Sequence, residues 1–341
     1  MMAGCDGDTM RPSQHRGNMP RPRCPPARDG ARHFCCKVVA PATRSRAPAG
    51  SHSGRRPVVD EKSGPETLEP LMRIRKFAHL SDLHLCLRHR SAERVLSLLE
   101  HLENAGVDHL VISGDITHRG RRAELQLFYE LFGPYLRQRR LTVVPGNHDR
   151  NGDGVAAALM PGARVQVDRA EGLYLVRVDS TAANNHSVID GRGLITHRDI
   201  SDILAALDDA PRHVLPVLTM HHHPLPLPDD HLHERLTSWL GLSYTAELAL
   251  GAELIERLRG RCQLVLHGHR HRPSEQELFA DSERPLALFN AGHSPSIGAA
   301  RIFHHCAGEL VCAPCWVGER PLALPPWHAG PDVRLPHPAG C

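Results

Sequence analysis

From Ile74 onward, short solid apolar runs alternate with amphipathic stretches, and polar words close the runs. The spacing predicts strands at Ile74–Leu80, His109–Ile112, Leu141–Val144, Leu173–Val178, Val214–Met220, Gln263–Leu266 and Leu286–Phe289, with a hairpin across Arg301–Cys312. Between them it predicts helices at Ser91–Asn104, 121–138, Arg198–Leu207 and Ala246–Leu258. Strands that are apolar throughout suit a sheet covered on both faces, so the expected class is α/β, a two-sheet sandwich flanked by helices. No apolar run approaches the ~20 residues needed to cross a bilayer, and the N-terminus lacks the apolar stretch of a secretory signal. The expectation is a cytoplasmic protein without a membrane segment, its 10 cysteines mostly reduced.

The net charge of +3 divides unevenly along the chain. Residues 1–70 hold 12 Lys+Arg against 7 Asp+Glu, with 10 Pro, 7 Gly and no apolar periodicity. Residues 71–341 hold 29 against 31, a net of −2, together with 23 of the 26 histidines. The expected organisation is a disordered Pro/Arg-rich tail over 1–71, one α/β domain over 72–316 and a Pro-rich tail over 317–341. Met72, just ahead of the first strand, offers an alternative start.

Five words stand at predicted strand ends: Asp82-Leu-His84, Gly114-Asp115, Gly146-Asn147-His148-Asp149, His221-His222-His223-Pro224 and Gly268-His269-Arg-His271. The carboxyl ends of strands in an open α/β sheet are where ligands bind, so five polar words there can converge. If strand alternation continues into the words, Asp82 with His84 and His269 with His271 each share a face. Asp115 is placed to bridge two ions, Asn147 offers a neutral oxygen, and a mixed imidazole and oxygen set suits a transition-metal pair better than Mg or Ca.

The order Asp-x-His, Gly-Asp, Gly-Asn-His-Asp, His-His, Gly-His-x-His resembles that of the calcineurin-like metallophosphoesterases over residues 72–305. The stretches Phe77–Leu85, Val111–Gly120 and Val144–Asp149 are worded most like the bacterial cyclic-nucleotide and glycerophosphodiester phosphodiesterases. The resemblance implies a four-layer α/β/β/α fold and two divalent ions, Mn, Fe, Zn or Co. One would be held by Asp82, His84, Asp115 and His271, the second by Asp115, Asn147, His221 and His269. It further implies that His148 binds the phosphoryl group or protonates the leaving group, with Asp149 orienting it, while the ion pair activates the attacking water. Asn147, His148, Arg119 and His222 are the candidate substrate contacts. Three consecutive histidines leave three registers open; His221, first after its strand, is the favoured ligand.

Weaker signals remain. Cys312-Ala-Pro-Cys315 has redox or zinc spacing but no second pair, and reads as incidental. His118, Arg119, Arg121 and Arg122 follow the Gly-Asp word, as a phosphate contact or a solvated helix start. Asn290-Ala-Gly-His293-Ser lines the pocket or makes a turn. The functional expectation is a phosphohydrolase acting on a small phosphodiester. The alternatives are a nuclease of the same superfamily, which the acidic 71–341 region disfavours, and a non-catalytic metal-binding scaffold, which would be expected to lack a ligand. The pocket loops Thr181–Thr196 and Leu225–Thr245 carry no readable specificity code.

Overall fold

The computed structural model describes residues 73–87, 90–182, 192–225 and 248–319. The 1–71 tail, most of 317–341, the first two residues of the helix expected from Ala246, and most of the loops 181–196 and 225–245 lie outside the described residues.

Two six-stranded sheets form the body of the domain. In the first, β1 (Arg75–Leu80), β2 (His109–Ile112) and β3 (Leu141–Val143) run parallel. The helices α1 (Ser91–Asn104) and α2 (Arg122–Arg137) form their crossovers. β4 (Val165–Ala170), β5 (Leu173–Val178), β6 (Leu215–Thr219), β7 (Leu264–His267), β8 (Ser274–Leu278) and β9 (Leu286–Asn290) build the second sheet in the order β4-β5-β6-β7-β9-β8. There β5, β6, β7 and β9 are parallel, with β4 and β8 as antiparallel edges. The chain then returns to the first sheet. β10 (Ala299–Cys306) pairs with β1, and β11 (Glu309–Leu310) and β12 (Cys315–Gly318) pair with its other edge. The short helix α3 (Ala156–Leu159) follows β3. α4 (His197–Asp208) and α5 (Gly251–Leu258) precede β6 and β7, and α6 (Ser294–Ile297) follows β9.

Period-two alternation sorts the strand residues into layers. Phe77 and Val111 of the first sheet meet Leu175, Val217, Leu264 and Leu266 of the second. Their neighbours Ala78, Leu110 and Ile112 turn outward onto α1 and α2, while Val176, Leu218 and Val265 turn onto α4 and α5. Each helix completes its layer with one apolar stripe; on α1 it is Val95, Leu98, Leu99 and Leu102, at helical spacing. α4 begins at a reciprocal cap, Thr196 Oγ1 accepting from Asp199 N (3.1 Å) and Asp199 accepting from Thr196 N (2.8 Å). The expected α/β/β/α sandwich is therefore the observed one. β4, β8 and β12 are strands the spacing did not predict. Among the described residues Cys86, Cys262, Cys306, Cys312 and Cys315 form no disulfide with one another, and no described helix is long and apolar enough to cross a membrane.

Two histidines outside the five words are structural. His109 and His305 share the inter-sheet face with Val111 and Phe303, and both are buried. His109 Nε2 is 3.0 Å from Thr142 Oγ1, which donates to Asp168, and His305 packs on Phe77. Burial, with Arg140 beside His109 and Arg75 beside His305, pushes each imidazole down to about 4, against a smaller opposing pull of Asp108 on His305. An unfolded histidine titrates near ~6.5. Between those values the unfolded chain binds more protons, so stability falls as pH drops from about 6.5 to about 4, by up to about 3 kcal/mol per histidine. Thermal melts are expected to show Tm falling across that window, with a shallower fall in the His109→Gln/His305→Gln variant. A slope unchanged in the variant would refute the assignment.

Candidate metal centre

Every word in question follows a parallel strand: β1, β2 and β3 in one sheet, β6 and β7 in the other. The two carboxyl edges are sewn together at this end. Ser81 N–H donates to Ser294 Oγ (3.0 Å) and His269 N–H to the Asp82 carboxylate (3.1 Å), while within the first sheet Asp82 N–H donates to the Gly114 carbonyl (3.0 Å).

Asp82, His84, Asp115, His269 and His271 all have left-handed backbone, with φ between 44° and 77°. This corrects the alternation argument. The paired side chains converge because the chain turns through a strained region after each strand, a geometry that clusters at functional sites. Two glycines permit the close approach. A Cβ on Gly146 would lie 2.1 Å from Asp115 Oδ1, and one on Gly268 1.9 Å from Ser81 Oγ.

The ligand-type atoms of Asp82, His84, Asp115 and His271 lie within 4.8 Å of one another. His84 Nε2 and His271 Nε2 are 2.9 Å apart, and His271 Nε2 is 3.4 Å from Asp82 Oδ1. Beside them, His221 Nε2 is 3.4 Å from Asp115 Oδ2 and 3.2 Å from Asn147 Oδ1, and His269 Nδ1 is 3.1 Å from the same Asn147 oxygen. The structure thus brings all seven residues expected as ligands to one place: Asp82, His84, Asp115 and His271 form one close group, and beside it His221 faces Asp115 and Asn147 while His269 faces Asn147. A further trio, His84, His118 and His148, is equally close.

The electrostatics fit cations. His221 Nδ1–H donates to the Ser113 carbonyl (2.8 Å), which fixes the ring and leaves Nε2, the atom facing the two oxygens, as the one that would bind an ion. Burial alone would push this imidazole down, yet Asp115 and Asp82 outweigh it and raise it to about 9: the pocket favours positive charge at this point. Burial holds His84 and His269 down at about 3, in the neutral form that ligates metal. Asp115, against its burial, is held well below the usual carboxylate range by His221 and His84. Converging lone pairs around two buried carboxylates suit divalent transition metals.

His148 stands at the edge of this centre. Its backbone N–H donates to Asp115 Oδ1 (2.9 Å), and its Nδ1–H donates to the His118 carbonyl (2.7 Å). Its ring lies edge-on to His84, 4.6 Å between centroids. Asp149 does not orient it. The buried Asp149 carboxylate accepts from Gly146 N, Ile116 N, Thr117 N and Thr117 Oγ1, tying the Gly-Asp loop to the Gly-Asn-His-Asp loop. His222, expected as a substrate contact, is fully buried, bonded through Nδ1 to Ser180 (2.9 Å) and packed on the rings of His221 and His269. His223, buried too, stacks on His269. Arg119 is exposed on a cavity of about 670 Å³ that also reaches His118. His293, left open between pocket and turn, does both: its ring packs 5.4 Å from His84 and 5.3 Å from His271, and it caps α6.

The calcineurin-like phosphoesterase family model matches residues 75–273. A dimetal phosphatase from Danio rerio is 12% identical with a TM-score of 0.48, the match covering 72% of this chain and 98% of that one. The purple acid phosphatase from yellow lupin is 9% identical with a TM-score of 0.43, covering 73% and 54%. The E. coli phosphoesterase Yfce is 16% identical with a TM-score of 0.32, covering 70% and 97%. No curated protein sequence matches significantly.

Proposed function

We propose that this chain, which belongs to the calcineurin-like phosphoesterase family, hydrolyses small phosphodiesters at the centre described above. Members of the family are phosphoric ester hydrolases with a dinuclear divalent metal centre. In this chain Asp82, His84, Asp115 and His271 would hold one ion, and Asp115, Asn147, His221 and His269 the other. When bound, the ions supply an activated water and charge for the phosphoryl oxygens.

The remaining chemistry belongs to the chain. His148, anchored through Nδ1 by the His118 carbonyl, has Nε2 as its working atom; protonated there, it donates to the leaving oxygen. Asp115 positions it through its backbone N–H. Arg119, exposed on the neighbouring cavity, reads as a contact for a phosphate oxygen. One observation carries the reading: seven ligand-type side chains from five strand ends converge with the His148 imidazole at their edge. The choice of a diester over a monoester is supported by the wording of the stretches Phe77–Leu85, Val111–Gly120 and Val144–Asp149.

With Mn²⁺ added, kcat/KM on bis-p-nitrophenyl phosphate is expected to exceed that on p-nitrophenyl phosphate by at least about tenfold, equivalent to about 1.4 kcal/mol of transition-state stabilisation. A reversed preference would make the chain a phosphomonoesterase. Degradation of single-stranded DNA in preference to both would make it a nuclease, and no turnover of any in metal-loaded protein would leave the scaffold reading.

A further inference from the structure

A cavity of about 400 Å³ opens beside His84 on the side of α1, and His84, Arg90, Arg94, His118, His293 and Ser296 are among the residues lining it. No carboxylate lines it among the described residues. The larger cavity across His118 differs. Its lining includes Arg119 and Arg121 but also Glu124 and Asp153, with Arg121 3.7 Å from Asp153. Charges there are balanced; beside His84 they are not. Arg94 makes no ion pair among the described residues, and Arg90 has only Glu93 at 3.9 Å, both side chains being mostly in solvent.

His293 adds a directed donor. Its Nδ1 accepts the Ser296 N–H at 3.1 Å, and an imidazole nitrogen that accepts an N–H carries no proton, so the ring's own N–H is on Nε2. That ring packs against both His84 and His271, which places it at the boundary between the metal centre and the cavity.

We propose that this cavity is a subsite for a second phosphate of the substrate, with Arg94 and Arg90 meeting its charge and His293 Nε2–H donating to one of its oxygens. The proposal rests on the phosphodiester reading above and narrows it to diesters whose retained alcohol bears another phosphate. Two guanidinium groups and an imidazole donor, in a lining without a described carboxylate, suit a terminal phosphate dianion.

Two chromogenic esters differing in one group test it: the p-nitrophenyl ester of thymidine 5′-phosphate, with and without a 3′-phosphate. The phosphorylated ester is expected to show about tenfold higher kcat/KM, the size of one charge-assisted contact. That ratio is expected to fall to about one in Arg94→Gln. Equal kcat/KM in the wild type, or an undiminished ratio in the variant, would overturn the subsite while leaving diester hydrolysis standing. Turnover of neither ester would instead count against the diester reading. Calorimetric binding to Mn-loaded protein then decides the subsite separately. Thymidine 3′,5′-bisphosphate is expected to bind about tenfold tighter than thymidine 5′-phosphate to the wild type and no tighter to Arg94→Gln. Equal binding of the two by the wild type would refute the proposal.

Discussion

Asp115→Asn is expected to strip at least one ion per chain and to lower turnover by about 10³-fold or more, as several kcal/mol of charge stabilisation disappear. The carboxylate is buried and engaged on both oxygens. Oδ1 accepts the His148 N–H at 2.9 Å, while Oδ2 faces His221 Nε2 at 3.4 Å and His84 Nε2 at 3.7 Å. Asparagine keeps the shape but replaces one acceptor by an NH₂ group. One orientation sets that NH₂ against the His148 N–H, and the other turns its protons toward the ions. Either way one of the two buried carboxylate charges at the centre is lost, leaving Asp82 as its remaining carboxylate. Elemental analysis after desalting, with circular dichroism to show an intact fold, measures the effect. A variant that keeps two ions and its turnover would remove Asp115 from the centre.

How much of this was legible beforehand differs between elements for physical reasons. β2, β5, β6 and β7 are mostly apolar and buried because both faces are covered, and such runs announce themselves locally, as does the buried Phe77–Leu80 end of β1. β4 (Val-Gln-Val-Asp-Arg-Ala) and β8 (Ser-Glu-Gln-Glu-Leu) are edge strands, half-buried and mixed in polarity. They are strands because β5 and β9 offer an edge to pair with, and no local pattern records that. β12 is shorter still, lying across the expected boundary between domain and tail, and exists through its register with Ala299–Ile302.

The same division runs through the site. Which residues meet was readable, since each ligand sits in a short word directly after a strand. How they meet was not, because Asp and His are only enriched in left-handed backbone, and residue type alone does not say which of them adopt it. Asp149 illustrates the difference. Adjacency in sequence suggested a partner for the His148 ring, whereas its four acceptor contacts go to Gly146, Ile116 and Thr117, two of those residues supplied by another strand's loop. Part of the histidine surplus is explained likewise. His109 and His305 are inter-sheet packing, a role visible only once the two sheets are face to face.

His148→Ala is expected to keep both ions and lose 10²–10⁴-fold in kcat, the usual range for one proton-transfer group. The expectation of intact metal follows from placement. The seven converging side chains remain without it, and Asp115 loses no contact, because the hydrogen bond it receives from residue 148 comes from the backbone. The expected loss depends on the leaving group. An alkoxide needs a proton as the ester bond breaks, whereas p-nitrophenolate departs nearly unaided, so the variant's deficit is expected to be larger on an alkyl diester than on bis-p-nitrophenyl phosphate. This dependence separates proton donation from simple phosphate binding, which would cost both substrates equally. It also tests the trio of His84, His118 and His148. Should the alanine variant lose an ion, His148 would be a ligand through that trio, and the proton would have to come from elsewhere.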